Sequence, residues 1–246
     1  MCIKNKFFYV ILQQHKKKFM AKRRKNIAEE DESVSKNWKE GELIETFKLN
    51  RINKYQTPLM QEWLEVSMPV FDAFEQVLFD RTYEKGMDNM SGWNEEDLKM
   101  KFITHILDLG HFYDEGGVIG YFDKTISAVV EDTKLTVKSD FMMAKGILDA
   151  YETPFFHFQE YKPYKNPSGD SMAQLLEAFM IAQVKNKNEK PLYGLEIMRE
   201  NWIFVVMENK NYCISESFSA LKKEELLKII SVLRKFKHIL MNRLLD

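Results

Sequence analysis

Residues 135–183 constrain this chain more than any other stretch. They read as strand, turn, strand, loop and helix, with charges set where apolar side chains are expected. Leu135-Thr-Val-Lys-Ser-Asp140-Phe-Met-Met-Ala144 and Pro154-Phe-Phe-His-Phe-Gln-Glu160-Tyr-Lys162 are rich in β-forming residues and bounded by turn signals. Beyond a Pro/Asn/Ser/Gly loop, an amphipathic helical run opens at Met172, with Ser168 and Asp170 as its capping candidates. Asp140 lies inside an otherwise apolar strand. Glu160 and Lys162 stand two positions apart, and because strand side chains alternate they share one face. If the two strands pair, two carboxylates and a lysine converge. Burying that set costs on the order of several kcal/mol, and a hard divalent cation is the simplest compensation.

The flanking sequence supplies helices before this stretch and strands after it. Between Trp38 and Tyr83, Leu59, Trp63 and Val66 and then Phe71, Phe74, Val77 and Leu78 recur at helical spacing. Two helices are expected there, opened by Pro58 and Pro69, with 86–92 as a loop. Asn94 is a good N-cap for the next helix, whose inward stripe is Leu98, Phe102 and Ile106 and whose end is near Gly110. Glu95, three residues before Leu98 and seven before Phe102, falls on the buried face, whereas Glu96 points elsewhere. Residues 118–121 and 125–130 read as two strand pieces, 131–134 as the turn into the Asp140 strand, and 192–198, 202–207 and 212–215 as three short strands. A long amphipathic helix over about 221–245 closes the chain. His157 alternates with Phe156 and Phe158, points away from the Glu160 face and reads as structural; His105 and His111 read as helix and loop residues.

Composition narrows the function classes. The 246 residues are 45% hydrophobic and 30% charged, enough for a full core. A net charge of −1 gives no global basic signal, so any nucleic-acid contact has to come from a local patch. Cys2 and Cys213 stand far apart with no Cys-x-x-Cys, which argues against a zinc site or disulfide scaffold and fits a reducing cytoplasm. No apolar run reaches membrane-spanning length, so a soluble protein without a membrane partner is expected. No Gly-x-x-x-x-Gly-Lys-Ser/Thr loop is present, so ATP is not expected as a ligand. Residues 1–37 pass from an apolar patch through basic to acidic clusters, and read as a disordered tail or a misannotated extension with Met20 as the start. The segment 38–92 reads as a helical N-terminal extension and 93–246 as the main domain.

The order of these elements is a helix with an inward Glu95, a strand with Asp140, a strand ending Glu160-Tyr-Lys162, a crossover helix and a Gly-containing strand. In this the chain resembles the PD-(D/E)XK nuclease superfamily, and within it the N-terminal nuclease domain of type I restriction R subunits. The resemblance runs from about Asn94 to Ser215 and includes Tyr193-Gly-Leu-Glu-Ile-Met-Arg-Glu-Asn-Trp202. It implies an α/β fold with a restriction-endonuclease-like mixed sheet flanked by helices, to which the N-terminal helical segment and the long C-terminal helix are additions. It also implies a Mg²⁺ site, with Mn²⁺ as a substitute, in which Asp140, Glu160 and Tyr161 form the metal set. Lys162 is then the catalytic lysine, Glu95 the helper carboxylate and Gln174 a positioning residue. The implied activity is endonucleolytic hydrolysis of DNA phosphodiester bonds in restriction, defence or mobile-element biology. Two departures stand out: Ser139 replaces the proline that names the family, and the chain carries no motor. Other readings remain open. One is a catalytically idle member of the same fold serving as a nucleic-acid or protein interaction module; another is a helical partner protein using 38–90 and 221–245. A homodimer is compatible with the class, but no residue marks an interface.

Overall fold

The β-rich stretch folds into consecutive hairpins, and the sheet grows outward from them. The computed structural model describes residues 36–53, 56–162 and 169–245, so the expectations for the tail up to residue 35 and for Ser168 lie outside it. From the N-terminal side come α1 (Glu40–Phe47), a short strand β1 (Asn50–Ile52), α2 (Pro58–Leu64) and α3 (Ala73–Asn89). Next, α4 (Glu95–Leu98) runs through a π turn (Lys99–Ile103) into α5 (Thr104–Leu109). Three long strands follow: β2 (Val118–Val130), β3 (Thr133–Ile147) and β4 (Ala150–Lys162). The crossover helix α6 (Ser171–Asn186) leads to β5 (Leu192–Met198), β6 (Asn201–Glu208), β7 (Asn211–Ser219) and the long α7 (Lys223–Ile239), which ends in a second π turn (Leu240–Leu244).

The fold is mixed α/β. Its seven-stranded sheet has the order β1-β7-β6-β5-β4-β3-β2. Neighbouring strands pair antiparallel except β4 with β5, joined through α6, and β1 with β7 at the edge. Alternation along the strands splits the core into two layers. Tyr161, Leu195, Ile197 and Phe204 face the side of α2–α5 and α7; Met142, Phe158, Val205 and Met207 face α6 and α1. On the first side Trp63 lies edge-on to Tyr193 and Phe204, each 5.0 Å between ring centroids, and its Nε1 donates to Val232 O at 2.9 Å. The N-terminal helices therefore share a core with the sheet. No helix among the described residues is long and apolar enough to cross a membrane.

Several sequence expectations change. Pro58 opens α2 as expected, but α3 opens at Ala73, because Asp72 and Glu75 form a reciprocal capping box that Pro69 lies too far upstream to join. The expected loop over 86–92 is the end of α3 followed by a 3₁₀ turn. Gly86 stays helical because a Cβ there would come within 2.8 Å of Phe102 Cε2, so close helix packing and not a turn requires glycine. The two strand pieces over 118–130 are one strand. Asp123 interrupts the pattern by taking a left-handed conformation (φ 54), which Asp tolerates, and the pairing resumes in unchanged register from Phe122↔Phe141 to Lys124↔Ser139. β1 was not expected at all.

Candidate active site

The site forms where the β3–β4 ladder comes apart. Regular pairing ends at Phe141↔Gln159, which leaves Asp140 and Glu160 at the next opposed positions. There the Tyr161 N–H donates to Asp140 Oδ2 at 2.7 Å, so a side chain takes over from the main-chain partner. Ser139 donates its hydroxyl to Phe141 O at 2.9 Å and is fully buried. On the same face the Lys162 ammonium lies 3.6 Å from Asp140 Oδ2 and 3.8 Å from Glu95 Oε2. Glu95 is the first residue of α4, held in phase by the Asn94 cap, whose Oδ1 accepts the Asp97 N–H at 2.8 Å, and by the burial of Leu98, Phe102 and Ile106. Glu96 is exposed. Two strands and a helix thus bring Asp140, Glu160, Lys162 and Glu95 together.

The electrostatics of the cluster follow from its burial. Glu160 is fully buried, and neither of its carboxylate oxygens has a hydrogen-bond partner when the group is ionised. Burial first, then the neighbouring Asp140 carboxylate and a proton shared with it, push Glu160 well above the usual carboxylate range, with Lys162 opposing. Glu95 is raised as well, by burial and then against the pull of Lys162. Asp140 and Glu160 together form a hard, oxygen-only donor pair. Among the described residues no group of three or more His, Cys, Asp or Glu side chains is disposed around a metal position. Mg²⁺ does not require one, because it binds through one or two carboxylates and keeps several waters. The orphaned Glu160 oxygens beside Asp140 fit that ion.

Other predicted residues are placed differently. The Tyr161 phenol lies on the opposite face, buried and donating to Gln159 Oε1, so only its main chain reaches the site. Gln174 sits in the first turn of α6 with its Oε1 buried and unpartnered, and among the described residues no hydrogen bond joins it to Asp140, Glu160 or Lys162. His157 is buried on the far face against Phe112 and Phe236, 2.9 Å from Gln159 Nε2, and burial holds its pKa down at about 3, as a structural residue requires. Asp170 caps α6, accepting the Ala173 N–H at 3.0 Å.

Two features escaped the sequence reading. Glu196 on β5 pairs in register with Glu160, so a third carboxylate lines the same face; it accepts a hydrogen bond from Ser171 at the start of α6. Its signal, an acid inside the apolar strand 192–198, is the one that singled out Asp140. Behind Glu95, Lys99 on the π turn is buried, with its Nζ 3.4 Å from both carboxylate oxygens of Asp123, which Lys138 also pairs with at 2.9 Å. Of the cluster only Lys162 lines the adjoining cavity of about 690 Å³, whose wall also includes Glu196 and Arg51. No protein-family model matches the sequence, and a search of curated proteins finds no match either.

Proposed function

We propose that this chain is a Mg²⁺-dependent nuclease that hydrolyses phosphodiester bonds in DNA, working in the cytoplasm in restriction, defence or mobile-element biology. The observation that carries the reading is Glu160: a fully buried carboxylate that no donor reaches when it is ionised, beside Asp140 and on the same strand face as Lys162. Asp140 and Glu160 would hold the ion, which, when bound, supplies a Lewis acid for the phosphate and lowers the pKa of a coordinated water. Lys162 reaches both Asp140 and Glu95, so its ammonium is positioned to orient the attacking water or to pair with a phosphate oxygen. Glu95 fixes that ammonium from the helix side. The element order further supports a place near the PD-(D/E)XK nucleases.

The test is incubation with supercoiled plasmid and with circular single-stranded DNA in Mg²⁺ or Mn²⁺, with EDTA and Asp140→Asn as controls. Metal-dependent nicking or degradation of either substrate, absent from both controls, is expected; no cleavage of either refutes the reading. The net charge of −1 favours a second reading, a catalytically idle interaction module. Only the first requires metal.

A further inference from the structure

Phe71, Phe74, Val77 and Leu78 recur at helical spacing, but the fold buries only part of that stripe. Phe71 and Leu78 pack on the core of the α7 side, whereas Phe74 is 75% exposed and Val77 56%. Just before α3, the irregular strap over 65–72 adds Met68 and Val70, 58% and 87% exposed. The strap is held in place. Arg234 donates from Nη1 to Val70 O at 3.0 Å and from Nη2 to Glu75 Oε1 at 2.6 Å, so Val70 is fixed at the same end of α3 as Phe74. Four large apolar side chains thus gather at one end of α3, where an exposed helix face ordinarily carries polar residues. Further along the same stripe the helix does turn polar, with Arg81, Glu84 and Asp88 exposed at the next steps of three and four.

We propose that this end of α3 is where a second copy of the chain docks, the two α3 helices packing antiparallel about a two-fold axis with Phe74 of each copy against Val77 of the other. A two-fold interface uses the same patch on both copies, and this patch meets itself without conflict. With Phe74 opposite Val77, the antiparallel course brings Arg81 of each copy to the Val70–Asp72 end of the other. Among the described residues Arg81 is in no ion pair, and Asp72 caps α3 through Oδ1 alone, so an ion pair there takes neither side chain from an existing partner. The size agrees as well. The four side chains offer roughly 400 Å² of apolar surface, in the range that marks interaction sites. One partner of a standard interface gives about 800 Å², of which about 57%, roughly 450 Å², is non-polar. The surface is a convex helix face and not a cleft, so it suits another helix better than a small ligand. Exposed Asp72, Glu84 and Asp88 disfavour an anionic membrane as the occupant. The inference is independent of the nuclease reading.

Sedimentation velocity and light scattering from about 1 to 100 µM read the mass in solution. Wild type is expected to move toward twice the 29.2 kDa of one chain as concentration rises. Phe74→Glu and Val77→Glu, both at exposed positions and so expected to leave the melting temperature nearly unchanged, should each weaken dimerisation about thirtyfold or more, the effect of losing a central anchor. Phe74→Lys/Val77→Glu should dimerise more tightly than either single variant, because the two substituted positions then meet with opposite charge across the axis. Circular dichroism and thermal melting confirm that the variants are folded. A wild type that stays monomeric at the highest concentration, or a dimer that survives both single substitutions, overturns the proposal. A double variant no tighter than the single ones overturns the antiparallel pairing of Phe74 with Val77.

Discussion

Glu160→Gln in the absence of metal is the most direct test of what the buried carboxylate contributes. Glutamine keeps the shape, cannot ionise, and offers its amide to Asp140, the neighbour that Glu160 can approach only by sharing a proton. The folded protein raises the pKa of Glu160 above the value of 4.5 it has when unfolded. Stability from this group is therefore fully present below pH 4.5 and is lost as pH rises, because the unfolded chain releases a proton that the folded one retains. Each pH unit between 4.5 and the raised folded value costs about 1.4 kcal/mol. The variant escapes this loss. Urea denaturation in EDTA across pH 4.5–8 should show the two proteins nearly equal at the acid end and Glu160→Gln more stable at neutral pH. Adding Mg²⁺ should then stabilise wild type and leave the variant where it was, since only an ionised Glu160 gains a cation. A glutamine variant less stable than wild type at pH 7, or a difference that does not change with pH, refutes the reasoning.

The remaining predictions concern roles within the cluster and the support beneath it. Lys162→Met keeps the stem and removes the charge, so Mg²⁺ binding by calorimetry should survive while plasmid or single-strand cleavage falls about 10²-fold or more. Asp140→Asn should impair both, and undiminished cleavage in the two variants alike would place the activity elsewhere. Glu95→Ala should reduce cleavage with little change in melting temperature, whereas Glu96→Ala, at an exposed position, should do nothing; the reverse result would mean that the helix presents its other acid. Gly194→Ala adds a Cβ 2.7 Å from Phe179 Cζ and 2.8 Å from Phe158 O. It should destabilise the fold by about 1–3 kcal/mol, by pushing α6 off β4 and β5, and an unchanged urea midpoint would contradict that packing.

The site was legible where one strand's alternation sufficed and obscure where two distant segments had to be aligned. Asp140, Glu160 and Lys162 were readable because a period of two puts an acid in an apolar strand on a definite face. Glu95 was readable because the Asn94 cap fixes the start of its helix and the 98, 102, 106 stripe fixes its phase. Steps of four residues drift by about 40° each in a regular α-helix. The wide π turn over Lys99–Ile103 absorbs that drift, which explains why all three stripe residues are buried although no sequence signal announces the turn. Glu196 carried the same signal as Asp140. Its place beside Glu160 depends on the parallel register that the crossover through α6 imposes, and a strand read alone does not contain that register. β1 has only three residues and a partner near the other end of the chain, so no local pattern could reveal it. Arg51, and with it that part of the cavity wall, stayed hidden for the same reason.

The two faces of β4 separate a polar group that the fold uses from one that it leaves open. On the face toward α7, His157, Gln159 and Tyr161 alternate and bond to one another, Gln159 to His157 at 2.9 Å and Tyr161 to Gln159, and burial keeps His157 neutral. That ladder closes on itself, with only the Nδ1 of His157 lacking a partner among its side chains. On the other face Glu160 is just as deeply buried, yet both of its oxygens lack donors when it is ionised, and the titratable group that acts on it most strongly, Asp140, is another acid. A buried strand that merely tolerated polar side chains would be expected to satisfy them on both faces, since an unpaired buried carboxylate is among the most destabilising groups a core can hold. Lys162 relieves part of the charge, but it reaches Asp140 and Glu95, and no ion pair joins it to Glu160 among the described residues. The asymmetry is what the proposed metal site accounts for: a divalent cation would supply Glu160 with the positive charge that neither Lys162 nor Ser139 is placed to give.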